Sequence, residues 1–474
     1  MLFHTPEFMV LMIITMFLYY LLPNRRIFLL SVANVIFYGV AGIGHLFVFI
    51  AVSIFTYYCS KMLRGKYAKL ILAIALVVNI LNLVFFKYTV FLIRSMEQFL
   101  SVKLLTEDSF WLTIVLPIGI SFYTFQMIAY VVDIYKGKIK PSRTLLDFWV
   151  FIAFFANLIA GPIMRGQELL PQIEGIRSIR FDRRNMRIGA AFLGLGLFKK
   201  IVLADYISGY ADSFFARTAE LTGAEGWVAI YLFAFQIFFD FAAYSEMAVG
   251  IGYFFGIKLI NNFQTPYLSS NATEFWRRWH ITLSTFIRDY IYIPLGGSRN
   301  GKVRQYINLF LAMTISGIWH GAAWTFVIWG MFHGALLIGH KLYSKGKERL
   351  GLAKLDSSKI YHVFAVIVFF HLTCIGWIFF RVDGFQNAIS LLSRMLTPEA
   401  FLFPKELHKY LLLVAVLYLL HIVEYYLFAN AAKWSKAWHN RFPAPVRAVV
   451  YTLVIAVLAL LLRTEQNTFI YFQF

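Results

Sequence analysis

Five short runs between Asn262 and Gly334 hold most of the residues that could do chemistry. They read Asn262-Phe-Gln-Thr-Pro-Tyr267, Glu274-Phe-Trp-Arg-Arg-Trp-His280, Arg288-Asp-Tyr-Ile-Tyr-Ile-Pro-Leu-Gly-Gly297, Gly317-Ile-Trp-His320-Gly321 and Trp329-Gly-Met-Phe-His333-Gly334. His320 lies between two glycines, which let backbone or substrate approach closely. An imidazole there is suited to take a proton from an attacking group. His280 follows two arginines and two tryptophans, with Asp289 nine residues on, and a neutral ring at that place could orient or polarise a substrate. His333 reads equally well as structural or functional. Arg277, Arg278, Arg288, Arg299 and Lys302 could grip a phosphorylated cofactor through charge-assisted hydrogen bonds, or they could simply mark a basic loop.

Other chemistries lack their signatures. No His-Glu-x-x-His spacing offers a helical zinc site, so no metal is expected, and Pro294-Leu-Gly-Gly-Ser298 lacks the Gly-Lys-Ser/Thr ending of a nucleotide loop. His4, His45, His408 and His439 fall near the ends of apolar segments, where interfacial roles prevail. His362, His371 and His421 lie within such segments and read as hydrogen-bonded core residues. What remains is base-assisted acyl transfer from an activated thioester.

The elements that must carry these residues belong to a polytopic all-α membrane protein. The chain has 474 residues, of which 60% are hydrophobic, 19% aromatic and 14% charged. That is more apolar surface than one soluble core could bury. Apolar windows of about 17 to 20 residues bounded by charged clusters are the pattern of membrane-spanning helices. The first, Pro6 to Leu22, lacks a basic leader and a cleavage site and reads as a retained span. The net charge of +20 is spread over loops rather than gathered in a stripe, which argues for topology and against nucleic acid. Cys59 and Cys374 sit in apolar runs and read as packed thiols.

With basic loops held in the cytoplasm, the chain threads with both termini outside. Segments at Pro6–Leu22, Ile27–Val40, His45–Ser60 and Ala68–Phe86 cross in turn; Lys87 to Asp108 is a mixed, interfacial stretch, and Phe110 to Tyr135 returns inside. Leu146 to Ile163 lies between two basic clusters, so it is expected to enter and return on one side, turning near Gly161-Pro162. Ile188 to Ala204 crosses outward to an acidic loop. The long run Gly226 to Ile260 comes back, and a bend is expected at its polar cluster Asp240, Tyr244, Ser245 and Glu246. Gln305 to His340 is basic at both ends and reads as a hairpin turning at Gly317 to Gly321. Its arms of about 18 residues would each reach ~27 Å at ~1.5 Å per residue, placing His320 deep in the membrane. His362–Phe380, Tyr410–Leu427 and Val449–Leu462 complete about ten crossings and two partial ones, as one domain with N-terminal (1–144), core (145–345) and C-terminal (346–474) parts.

The runs Pro117-Ile-Gly-Ile-Ser-Phe-Tyr-Thr-Phe125, Leu158-Ile-Ala-Gly-Pro162, Phe239-Asp-Phe-Ala-Ala-Tyr-Ser-Glu-Met-Ala-Val-Gly250, Glu274 to His280, Arg288-Asp-Tyr290, Gly317 to Gly321 and the closing Tyr471-Phe-Gln-Phe474 together resemble the membrane-bound O-acyltransferase family, in the branch of the alginate O-acetylation protein. The resemblance covers nearly the whole chain. It implies about 10 to 11 transmembrane helices with re-entrant segments around a funnel, and catalytic residues at His320 and His280. It also implies that acetyl-CoA serves as donor with no permanently bound cofactor, and that the protein sits in a bacterial inner membrane with a periplasmic acetyltransferase partner. Arg277, Arg278, Arg288, Asp289, Asp240, Tyr244, Ser245 and Trp319 are the candidate substrate- or donor-binding residues. The exported polymer would be alginate-like first, with cellulose and peptidoglycan as alternatives. On physical grounds alone a transporter or flippase, or a scaffold subunit of an export complex, would also fit the pattern.

Overall fold

The computed structural model describes residues 1–461 and Phe469; the closing Tyr471 to Phe474 motif lies outside the described residues. Among the described residues every regular element is helical. By spatial contact the chain groups into two compact units, Met1–Gly196 with Tyr244–Asn261, and Leu197–Ala243 with Asn262–Phe474. Their boundaries fall at residues 196/197 and 243/244, each inside a helix, and at 261/262.

The first unit starts with α1 (Pro6–Leu21) and α2 (Arg26–Gly39), bent by 118° at the intervening Pro23 stretch. Buried Arg26 fixes the bend. Its guanidinium donates to the carbonyls of Tyr19 (2.9 Å) and Ile176 (3.0 Å) and lies 4.5 Å over the Tyr19 ring, which satisfies a charge that burial would otherwise penalise. Next come α3 (Ile43–Lys61), α4 (Ala68–Leu83), α5 (Thr89–Leu100) and α6 (Ile120–Tyr135). The expected interfacial stretch after Phe86 is instead a continuation of α4 through a π-helical turn at Val84–Tyr88 into α5. The Leu146 region is broken earlier than the turn expected near Gly161-Pro162: α7 (Leu145–Ala153) stops, and α8 (Phe155–Leu158) restarts after an extended Phe154. Asn34 explains how a membrane-buried chain tolerates it, because its Oδ1 accepts the freed Phe155 N–H at 3.0 Å. Gly119 is required by the same feature, since a Cβ there would stand 2.7 Å from the Leu158 carbonyl oxygen. The unit continues with α9 (Gly166–Glu174) and α10 (Arg183–Phe198), whose last two residues belong to the second unit.

In the second unit a π-helical stretch, Lys199–Ala204, leads to α11 (Asp205–Phe215) and then α12 (Gly223–Phe254). The expected bend of α12 at its polar cluster is not a break: the helix is uninterrupted over 32 residues and wholly buried along its most apolar window. Asp240 does not force the backbone open because Lys200 neutralises it at 2.8 Å. Two short helices, α13 (Ala272–Arg278) and α14 (Ile281–Ile287), flank His280. They are followed by the hairpin of α15 (Gly301–His320) and α16 (Trp324–Arg349), then α17 (Lys359–Arg381), α18 (Phe385–Met395), α19 (His408–Ala429), α20 (Ala431–Arg441) and α21 (Ala444–Leu461).

Among the described residues five helical stretches are long and apolar enough to cross a bilayer: Ile43–Lys61, Ala68–Leu100, Gly223–Phe254, Lys359–Arg381 and Lys405–Ala429; the bent pair α1 and Pro23–Gly39 would make a sixth. Other apolar segments are not single straight helices of that length: α2 and α6 have 14 and 16 residues, the Leu146 region is broken, and α10 runs into a π-turn. The window of Lys405–Ala429 is only 11% buried within the protein, so its apolar surface is left to lipid.

Candidate active site

The hairpin positions His320. Helix α15 ends at this residue because Gly321 is fully extended (φ −159°, ψ 156°), and α16 restarts at Trp324 after an extended Ala323. At ~1.5 Å per residue the 20 residues of α15 carry His320 ~30 Å from the helix start. The turn falls slightly later than Gly317. Gly317 serves close packing instead: a Cβ on it would meet the Phe326 carbonyl oxygen at 2.3 Å and the Gly330 Cα at 2.9 Å, so the two arms touch backbone to backbone three residues before His320.

His280 reaches the same region from a different backbone. It lies between α13 and α14 in the left-handed conformation (φ 42°, ψ 58°), which costs a residue with a Cβ ~1–2 kcal/mol. Thr265, across from it, is also left-handed (φ 45°). Such strain persists where the surroundings over-determine it, and it clusters at working sites. The pairing of residues 262–264 with 278–281 supplies that constraint: Gln264 N–H donates to the Arg278 carbonyl at 2.9 Å and Ile281 N–H to the Asn262 carbonyl at 3.0 Å.

His280 is 0% and His320 4% exposed. Trp319 bridges the two imidazoles, 6.1 Å from the His280 ring and 5.0 Å from that of His320, centroid to centroid. Phe241 packs edge-on to His280 at 4.8 Å, while Trp329 (4.8 Å) and Phe380 (5.4 Å) wall His320. His333 lies beyond Trp329, 4.7 Å from it, and stacks on Phe275 at 5.9 Å. Trp279, Trp329 and Trp377 are fully buried; truncating any one would cost ~3–5 kcal/mol. The result is two imidazoles in an aromatic, water-poor enclosure, where a neutral base and the charge it develops are governed by neighbours rather than solvent.

Most of the other candidate residues have charged or aromatic neighbours of their own. Arg277 is exposed, Arg278 pairs with Glu274 at 2.7 Å, and Arg288 pairs with its neighbour Asp289 at 2.7 Å. Asp240 is held by Lys200, which also binds Asp205 at 2.8 Å. Tyr244 and Ser245 belong to the first unit, where Tyr244 stacks on Phe3 at 4.2 Å.

One charged cluster escapes the sequence reading, and a second gives Lys302 neighbours that the sequence does not show. Lys199 binds Glu424 at 2.5 Å, and the same carboxylate lies 3.4 Å from His421 Nδ1. The signal was a Lys199-Lys200 pair inside an otherwise apolar crossing. The second cluster is at the outer ends of the hairpin, where antiparallel packing of Gly317 on Gly330 and of Gly334 on Phe310 brings Lys302 beside Lys345. The close like charge of Lys345, with a smaller contribution from Arg349, holds the Lys302 ammonium below the ordinary lysine range.

Comparison with known proteins agrees with this architecture. Residues 139–380 match the family described as MBOAT, membrane-bound O-acyltransferase family. The probable alginate O-acetylase AlgI of Azotobacter vinelandii is 38% identical over 80% of this chain and 74% of its own length. The chain belongs to the membrane-bound O-acyltransferase family. It is an integral membrane acyltransferase. The peptidoglycan O-acetyltransferase of Helicobacter pylori is 35% identical over 77% of this chain and 73% of that protein, and the teichoic acid D-alanyltransferase of Bacillus subtilis is 27% identical over 57% and 70%. The histidine pair, the Trp319 bridge and the hairpin all fall within the segment that matches the family.

Proposed function

We propose that this acyltransferase moves an acetyl group from cytoplasmic acetyl-CoA to hydroxyls of an exported polysaccharide, with His320 as general base. The observation that carries the reading is His320 at the deep end of the α15–α16 hairpin, one tryptophan away from a strained, fully buried His280. In the step proposed, His320 takes the proton of an acceptor hydroxyl as its oxygen attacks the thioester carbonyl carbon. The tetrahedral oxyanion collapses, the carbon–sulfur bond breaks, and the departing thiolate takes the proton from the imidazolium. His280 orients the acceptor or the thioester carbonyl, and Trp319 keeps water from the space between the rings.

The donor's phosphates fit the outer end of the hairpin. The crowding of Lys302, Lys345 and Arg349 is relieved by an anion, and the ~30 Å length of α15 suits a long donor with its thioester at the bottom. Alginate-like polymers are the first choice of acceptor, since relatives named as alginate O-acetylases match at 36% to 39% identity; peptidoglycan has a relative of comparable similarity, and cellulose is the third candidate. A periplasmic acetyltransferase completes delivery, the protein residing in the inner membrane with its termini on the periplasmic side.

The test is sided transfer. Oriented proteoliposomes given radiolabelled acetyl-CoA at the face bearing Lys302 and Lys345, with polymer and the periplasmic partner at the other, should label the polymer, and His320→Ala should abolish labelling. Equal labelling by the His320→Ala protein would remove His320 from the chemistry. Donor use only from the opposite face would reverse the proposed topology.

A further inference from the structure

The left-handed turn at His280 is held by one residue that has no place in the reaction described above. Asn262 is fully buried. Its backbone carbonyl accepts Ile281 N–H at 3.0 Å, and its side-chain Oδ1 accepts both Thr282 N–H at 3.2 Å and Thr282 Oγ1–H at 2.7 Å. A backbone amide only donates, so the carboxamide atom facing it must be the oxygen, and the side chain has a single orientation. Three accepted bonds thus fix the two residues that follow His280, while the Gln264–Arg278 bond fixes those that precede it. The Nδ2 amino group, turned the other way, finds no partner among the described residues.

A buried amide commonly spends all its groups on the fold. Here the accepting half is saturated on the backbone around His280 and the donating half is unspent, a division that serves the conformation of one residue. Left to itself, a residue with a Cβ leaves φ of about +42° for the right-handed or extended regions, and the imidazole would swing away from Trp319. We propose that Asn262 is a positioning residue for acyl transfer: it locks the left-handed backbone of His280 and so aims that ring at the shared site with His320. This rests on the reading of His280 as part of the acyl-transfer site.

The role separates from mere packing by a double-substitution cycle on the full-length protein in liposomes, with thiol release from acetyl-CoA as the readout. Asn262→Leu, similar in volume but unable to accept, should lower kcat at least tenfold with KM within twofold. Asn262→Asp keeps an acceptor for both Thr282 donors and should stay within about threefold of wild type. In a His280→Ala background, Asn262→Leu should cause no further loss, since there is no ring left to aim. The same fold-loss in both backgrounds would overturn the proposal, and so would an Asn262→Asp protein as impaired as Asn262→Leu, because the needed half would then be the donor. If His280→Ala itself turned over at the wild-type rate, the site assignment beneath the proposal would fail, whereas an impaired His280→Ala with multiplying losses would remove Asn262 alone. Should Asn262→Leu not insert, Thr282→Val against Thr282→Ser decides by the same cycle: loss with Val, retention with Ser and no loss in the His280→Ala background support the role, and additive losses refute it.

Discussion

Replacing Gly317 by alanine should damage both stability and catalysis, and the structure sets the scale. The added methyl would lie 2.3 Å from the Phe326 carbonyl oxygen and 2.9 Å from the Gly330 Cα, where contacts under 3.0 Å are essentially never made. Both neighbours are backbone and cannot rotate away, so the arms must separate by roughly 1 Å, at a cost of ~1–3 kcal/mol for overpacking. The displacement occurs less than one turn before His320. A misplacement of ~1 Å at a reacting group typically costs ~10²-fold in rate, so kcat for thiol release should fall by about two orders of magnitude while the melting temperature in detergent drops by several degrees. Gly339 is the matched control on α16, since nothing lies within 4 Å of its added Cβ, and Gly339→Ala should behave as wild type. A Gly317→Ala protein with wild-type kcat would show that the close approach of α15 and α16 does not position His320.

Three further outcomes follow from named contacts. Lys200→Met leaves buried Asp240 and half-buried Asp205 without this cation and should cost ~3–5 kcal/mol; adding Asp240→Leu should recover part of the loss in thermal melts, and no recovery would refute the pairing as the cause. Asn34→Leu removes the acceptor of the Phe155 amide at the α7–α8 break and should cost ~1–3 kcal/mol, read as a lower melting temperature with His320-dependent turnover intact per folded molecule; an unchanged melt would show that the freed amide is satisfied elsewhere. Lys302→Gln with Lys345→Gln should raise KM for acetyl-CoA with kcat preserved, and the effect should shrink at high salt, as screening requires; an unchanged KM would leave these lysines as topology markers.

Much of this architecture was legible because its causes are local. The Gln305–His340 hairpin showed in the basic residues at both ends. His320 stood out because glycines bracket it. What remained hidden depends on partners distant in sequence. Nothing local to Asp240 reports that Lys200 neutralises it, so it read as a tunnel residue and as a reason for α12 to bend. Hydropathy also does not show where a helix stops for hydrogen bonding, as α7 does at Phe154 with Asn34 waiting, or where a π-turn redirects it, as at Lys199–Ala204. Asn262 opened a recognised run, but its task is set by Thr282, twenty positions away.

The most direct test of the central claim is single-turnover thiol release from acetyl-CoA by the purified protein in liposomes, with acceptor present, comparing wild type, His320→Ala, His280→Ala and the double variant. Two histidines serving one transition state should give a double variant no slower than His320→Ala alone, with every variant still binding acetyl-CoA and melting like wild type. Wild-type release by His320→Ala, or losses that multiply across the two positions, would contradict a shared site.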